Sequence, residues 1–191
     1  NDPELNTLGT KSGCREIFRD AGILFPDGFE RLRDQNDIAE ALNTLYVRYP
    51  GIKRAVVKLN EGFSGEGNAL FYYDGIDAFD AIERKKQILA QLPNLRFEAP
   101  MENWESFHEK YQDVRGIGEQ FVEGENKRSP SSQCRVNALG QPVSISTHDQ
   151  VLGGPTGQVF LGCTFPADPM YRLEIQEAGM CVARALASRG V

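Results

Sequence analysis

Residues 55–71 read AVVKLNEGFSGEGNALF. Ala55-Val56-Val57 is a short apolar run that ends on Lys58. Glycines follow at 62, 65 and 67, and a second apolar run, Ala69-Leu70-Phe71, closes the stretch. Short apolar runs bounded by turn residues read as strands, so 54–59 and 69–73 are predicted to form a hairpin with a long tip. Three phosphate-binding layouts compete for it. A P-loop places its lysine after the glycines, as GxxxxGK[ST], whereas here the lysine comes first. Protein kinases place the glycine loop before the lysine strand and follow it with HRD and DFG, neither of which occurs. A dinucleotide fingerprint opens a helix with its glycines, and here they lead into a strand. What remains is a lysine at a strand end that can set a point charge on a phosphate. The glycines after it let backbone N–H groups approach a polyphosphate, because no Cβ intervenes. Ser64 adds a hydroxyl donor. An ordinary surface hairpin with a solvated lysine is the competing reading.

Outward from the hairpin, helices are predicted over 9–22, 35–48, 77–91, 103–112 and 169–189, with Gly22 as a stop for the first. An extended piece, Ile23 to Pro26, follows the first helix. The second half is mostly strand, at 117–122, 131–138, 142–147 and 157–162. The fold class is therefore α+β, with two α+β lobes, 1–100 and 101–191, and a junction between about 95 and 115. Trp104, Phe107 and Tyr111 at helical spacing read as core or lobe-junction packing. Glu83-Arg84-Lys85-Lys86 reads as a solvated helix face. Cys134 and Cys163 sit in apolar strands and read as buried and inert.

The chain has 191 residues, 40% hydrophobic and 25% charged, which is a globular composition. Its net charge of −6 argues against nucleic acid or an anionic membrane as the main partner. Four dispersed cysteines and two histidines form no zinc pattern and fit reduced thiols in a cytoplasmic protein. The first residue is Asn1, so the chain reads as a fragment or a processed product.

Two further stretches add to the lysine hairpin. GTKSGCREIFRDAGILFPDG (9–28) sets Lys11 at the start of a helix, and GIGEQFVEGEN (116–126) is a carboxylate-rich strand after a helix. In that order the pieces TKSGCREIFRDAGI, AGILFP, VVKLNEGFSGEG and EQFVEG resemble the ATP-grasp superfamily of carboxylate–amine ligases. The stretch from RSPSSQCRVNALGQ to LGCTFPA further resembles a bacterial subgroup similar to the peptide ligase of pheganomycin biosynthesis. The resemblance implies an ATP-grasp-like fold with a nucleotide cleft between two lobes. It implies that Lys11 and Lys58 hold nucleotide phosphates, and that Gly62, Ser64, Gly65 and Gly67 belong to a phosphate-covering loop. It sets Glu119 near the adenine amino group and the backbone of Gln120, Phe121 and Val122 along the adenine edge. Glu125, with Glu123 next, is the ribose carboxylate.

The implied activity is ATP-dependent joining of a small-molecule carboxylate to an amine or peptide through an acylphosphate, with Mg2+ on the phosphates. The family's late Glu-x-Asn pair does not follow 169–189, so the last metal-binding strands are expected to be absent and the magnesium ligands to lie beyond residue 191. Phosphoryl transfer by this fragment alone is then expected to be severely impaired. Arg128 and Arg135 are candidates for the carboxylate or acylphosphate, because a guanidinium suits two-oxygen recognition. His148, in STHDQVLGGPTGQ, is a candidate on the acceptor-substrate pocket. Such ligases often dimerise, so a homodimer is admitted. The alternative is a non-catalytic nucleotide-binding or regulatory module that kept the cleft.

Overall fold

A computed structural model describes residues 3–62, 65–155 and 157–191. Ser64 lies outside the described residues. A 3-10 turn (Pro3–Gly9) leads into α1 (Lys11–Asp20). There follow β1 (Gly28–Leu32), α2 (Gln35–Arg48), β2 (Arg54–Leu59), β3 (Asn68–Tyr72), α3 (Ala81–Gln91), β4 (Arg96–Phe97), α4 (Trp104–Val114) and β5 (Gly116–Gln120). The chain ends with β6 (Pro130–Val136), β7 (Pro142–Gly153), β8 (Val159–Thr164) and α5 (Arg172–Ser188). One sheet has the order β1-β5-β2-β3-β4, and a second has β6-β7-β8.

These elements gather into two compact units. The first comprises Asn1–Phe25, Glu123–Gly153 and Phe160–Val191; the second comprises Pro26–Val122 and Gly154–Val159. The expected boundary near residue 100 thus falls inside the second unit. β5 pairs with both β1 and β2, which keeps the chain up to Val122 with the earlier sheet. α1 packs on α5, which assigns the first residues to the later part of the sequence.

In the second unit, caps set the helix starts. The Asp34 carboxylate accepts from the N–H groups of Asn36 and Asp37 at 2.8 and 3.0 Å, and Asp80 accepts from Ile82 and Glu83. Ile38, Leu42 and Leu45 of α2, Ile88 of α3, and Phe107 and Tyr111 of α4 share a core with Ala55, Val57, Leu59, Ala69 and Phe71 of the sheet. Strands β2 and β3 are apolar in runs rather than in alternation because Val56 and Leu70, on the opposite face, are buried too. Gly116 of β5 is a steric requirement. A Cβ on Gly116 would stand 2.2 Å from the Lys58 carbonyl oxygen and 2.4 Å from the Tyr111 ring. Arg84 departs from the expected solvated face. It is buried, donating from Nε to Asn43 Oδ1 at 2.7 Å and from a terminal nitrogen to the Ala78 and Phe79 carbonyls.

In the first unit, Thr10 caps α1 by accepting from the Gly13 N–H at 3.0 Å. α5 lies against β6 and β7, and so close to β6 that a Cβ on Gly179 would meet Ser132 Oγ at 2.4 Å. β7 runs six residues past the expected end at 147. Cys163 is exposed and Cys134 half-buried, not the buried pair expected, and none of the four cysteines is in a disulfide.

Candidate functional site

The register of the larger sheet decides which side chains meet. Lys58 pairs with Asn68 across the hairpin and with Ile117 of β5, while Val56 pairs with Glu119. Side chains alternate along a strand, so Val56, Lys58, Asn68, Leu70, Ile117 and Glu119 share one face. That face is turned away from the helices, which pack on Ala55, Val57 and Leu59. Glu119 is the diagonal neighbour of Lys58, within reach of a long side chain. The Lys58 ammonium donates to Glu119 Oε1 in a charge-assisted bond between two groups that are mostly buried. Val56, Leu70 and Ile117, at 4%, 1% and 2% exposure, form an apolar floor around the pair.

Both ends of this face are defined. At one end Arg54 stacks over the Phe121 ring, 4.0 Å from its centroid. At the other, β2 leads from Lys58 into the hairpin tip, where the Gly65 carbonyl accepts from the Asn68 N–H at 2.9 Å. Arg54 and Lys58 are about 13 Å apart along the strand at about 3.3 Å per residue. At the end of β5, the Gln120 N–H donates to the Asp27 carbonyl at 2.8 Å, so the first donor of the expected 120–122 segment is already engaged. Asp27 is itself anchored: it accepts from Arg48 at 2.5 Å, Tyr49 at 2.9 Å and the Gly28 N–H at 2.8 Å. Burial raises its pKa, but the hydrogen bonds from Arg48 and Tyr49 outweigh burial and hold the carboxyl below its ordinary 3.8.

The remaining sequence-derived residues fall elsewhere. Gly62, Gly65 and Gly67 lie in the hairpin tip, with Gly65 at φ +89°. Val122, Glu123, Glu125 and Arg128 are exposed in the segment between β5 and β6. Lys11 is the first residue of α1, in the first unit; burial pushes the nearby Cys14 thiol up, against the pull of the Lys11 charge.

Arg135 and His148 lie on the smaller sheet. Arg135 is exposed, alternating to the side opposite the half-buried Cys134 that faces α5. His148 is mid-strand, with Nε2 3.4 Å from Ser146 Oγ and its ring against Phe165. Beside it is a feature the sequence reading missed. Asp149 accepts from the Tyr171 hydroxyl at 2.5 Å and from the Asp168 N–H at 2.8 Å. The bond to Asp149 pushes the Tyr171 phenol up to about 12, and the Arg128 charge works against that shift. Asn68 was missed as well. Its place opposite Lys58 follows only from the register. Among the described residues, no group of three or more His, Cys, Asp or Glu side chains is placed to hold a metal ion, and no helix is long and apolar enough to cross a membrane.

Comparison with known proteins gives this geometry its context. Residues 3–87 match the family described as IQCH-like, ATP-grasp. Over 185 residues the chain is 32% identical to an L-propargylglycine–L-glutamate ligase of Streptantibioticus cattleyicolor, covering 95% of this chain and 35% of that protein. It superposes on biotin carboxylase from Campylobacter jejuni, solved as a β,γ-ATP complex, with a TM-score of 0.62 at 16% identity, covering 95% of this chain and 35% of that one. It also superposes on N5-carboxyaminoimidazole synthetase from Staphylococcus aureus, solved with ADP, with a TM-score of 0.57 at 14% identity, covering 95% and 39%. The chain thus spans between 35% and 39% of the length of these relatives.

The fold is that of an α+β ATP-grasp domain, seen in part. The chain resembles the ATP-grasp superfamily in sequence and in fold, as the lysine hairpin and the strand after α4 implied.

Proposed function

We propose that this chain is the nucleotide-binding part of an ATP-dependent ligase that joins a carboxylate to an amine through an acylphosphate. The observation that carries the reading is the Lys58–Glu119 pair, two residues that the family resemblance sets on the nucleotide and that the sheet register brings into contact. On this reading the base lies at the Phe121 end of the face, and Glu119 accepts from its amino group. The phosphates lie at the hairpin end, where they draw the Lys58 ammonium from Glu119. Lys11 and Glu125, of the first unit, are assigned to a phosphate and to the ribose hydroxyls by the family resemblance alone.

Ligation of two amino acids is named for the relative from Streptantibioticus cattleyicolor, and small carboxylate and amine or peptide substrates come to this chain only by that likeness. Arg128 and Arg135 are assigned to the carboxylate or acylphosphate oxygens, and His148 to the acceptor side. Magnesium neutralises phosphate charge in such reactions. The described residues supply no cluster to hold it, so no step is assigned to it here. A cytoplasmic setting goes with the four unpaired cysteines.

Calorimetric titration with ATP and magnesium tests the reading. Lys58→Ala is expected to abolish heat that the wild-type chain gives. Lys58→Gln keeps a donor for Glu119 and is expected to weaken ATP by about tenfold or more, the range of a lost charged hydrogen bond. Equal affinity in wild type and both variants removes Lys58 from the site.

A further inference from the structure

Between β7 and β8 the chain leaves the smaller sheet, and Gly154–Val159 joins the second unit. It is tied there at separate points. The Arg96 guanidinium donates to the Pro155 carbonyl at 3.1 Å. Gly154 has φ +82°, and a Cβ there would meet Glu98 Oε1 at 2.3 Å, so the backbone lies against a buried carboxylate that admits no side chain. Asn68 Nδ2 donates to Gln158 Oε1 at 3.3 Å. The Gln158 carbonyl approaches Gly65 so closely that a Cβ on Gly65 would lie 2.6 Å from it.

The last two contacts bear on the candidate site. Asn68 is the strand partner of Lys58, buried to 9% exposure, and its N–H closes the turn onto the Gly65 carbonyl. Gln158 therefore holds, from outside the hairpin, the side chain opposite the phosphate lysine, and its backbone lies against Gly65 of the tip. We infer that Gln158 is a positioning residue: by holding Asn68 and Gly65, it sets the returning arm of the hairpin where its backbone meets the outer phosphates of a bound nucleotide. This rests on the nucleotide reading above and adds to it a residue 90 positions away in sequence from the side chain it holds. A donor array fixed before the ligand arrives pays no ordering cost when it binds. Loss of the anchor is thus felt by ligands that reach the hairpin and not by those that stop short.

The experiment is titration of the full chain with adenosine, AMP, ADP and ATP for wild type, Gln158→Ala, Asn68→Ala and the double variant. The expected result for Gln158→Ala is an affinity about tenfold weaker for ATP and ADP, the range of one lost side-chain hydrogen bond with its ordering, and within about twofold for adenosine and AMP. The double variant is expected to lose no more than the larger single loss, because two residues of one contact couple. Hydrogen exchange at the Asn68 amide is expected to quicken in Gln158→Ala. A uniform loss across all four ligands, or none, overturns the role of Gln158. Wild-type chain that binds no ATP overturns the nucleotide reading instead, and the role with it.

Discussion

The two sheets of this chain solve different problems. The five-stranded sheet is buried on both faces: Val57 and Phe71 on the helix side and Val56 and Leu70 on the other are all at 4% exposure or less. Its buried polar groups are paired, Lys58 with Glu119, and the helices on it pair Arg84 with Asn43. The three-stranded sheet lies on α5 by one face and leaves Val143, Ile145 and Leu161 between 42% and 65% exposed. In the first sheet a candidate site residue such as Lys58 is also paired within the sheet, so its removal touches the fold as well. In the second, Arg135 stands on an open strand, so its removal reads out chemistry alone.

The largest effect that tests this contrast is in the core. Phe107 is fully buried against Tyr111 and Phe97, and Phe107→Ala is expected to cost about 3–5 kcal/mol. Thermal unfolding followed by tryptophan fluorescence reports the second unit directly, because the single tryptophan, Trp104, packs against its core. Far-UV circular dichroism reports both units. The expected outcome is a fluorescence transition that falls while part of the dichroism signal persists. Coincident transitions of equal shift would show that the units fold as one.

The next effect is smaller and depends on pH. Asp27 ties Arg48 and Tyr49 of the α2 end to the start of β1. Its pKa is lowered on folding, so its contribution is complete above the ordinary value of 3.8 and drains away as the pH falls through the lowered one. Asp27→Asn is expected to cost about 1–2 kcal/mol at neutral pH and nearly nothing in strong acid. Denaturant midpoints at pH 7 and pH 3 check it; a gap between variant and wild type that does not narrow at pH 3 argues against the assignment.

Much of the larger sheet was legible in the sequence, and the reasons are local. The apolar runs of β2 and β3 and the capped, periodic helix from Gln35 to Arg48 carry their own signals, and both matched their expected spans closely. β1, GFERL, has no such signal. It is a strand because β5 offers it an edge, and it carries a register shift and Arg31 at φ +60°. β7 continues through His148, Asp149 and Gln150 because each finds a partner, in Ser146, Tyr171 and Ser129. Arg84 looked solvated beside Lys85 and Lys86, yet Asn43 and two carbonyls satisfy its guanidinium. The hairpin pattern supplied Lys58, and the family resemblance supplied Glu119. Their meeting across 61 residues is a matter of register, which no local pattern encodes. For the same reason Asn68 and Gln158 stayed invisible.

The smallest structural effect sharpens the contrast from its other side. Arg135 is exposed on β6 opposite Val143, and among the described contacts it holds no ion pair on which the fold depends. Arg135→Ala is therefore expected to shift stability by less than about 0.5 kcal/mol, as surface substitutions do. If a carboxylate docks on this strand, the same variant weakens binding of a carboxylic acid to the ATP-loaded chain while leaving ATP affinity unchanged. Titration with the acid beside titration with ATP separates the two. A variant that loses ATP binding along with acid binding would place Arg135 on the nucleotide. A variant unchanged in both would leave the open strand as surface, and the search for the acid's partner would then move to Arg128, whose charge reaches Tyr171 beside Asp149.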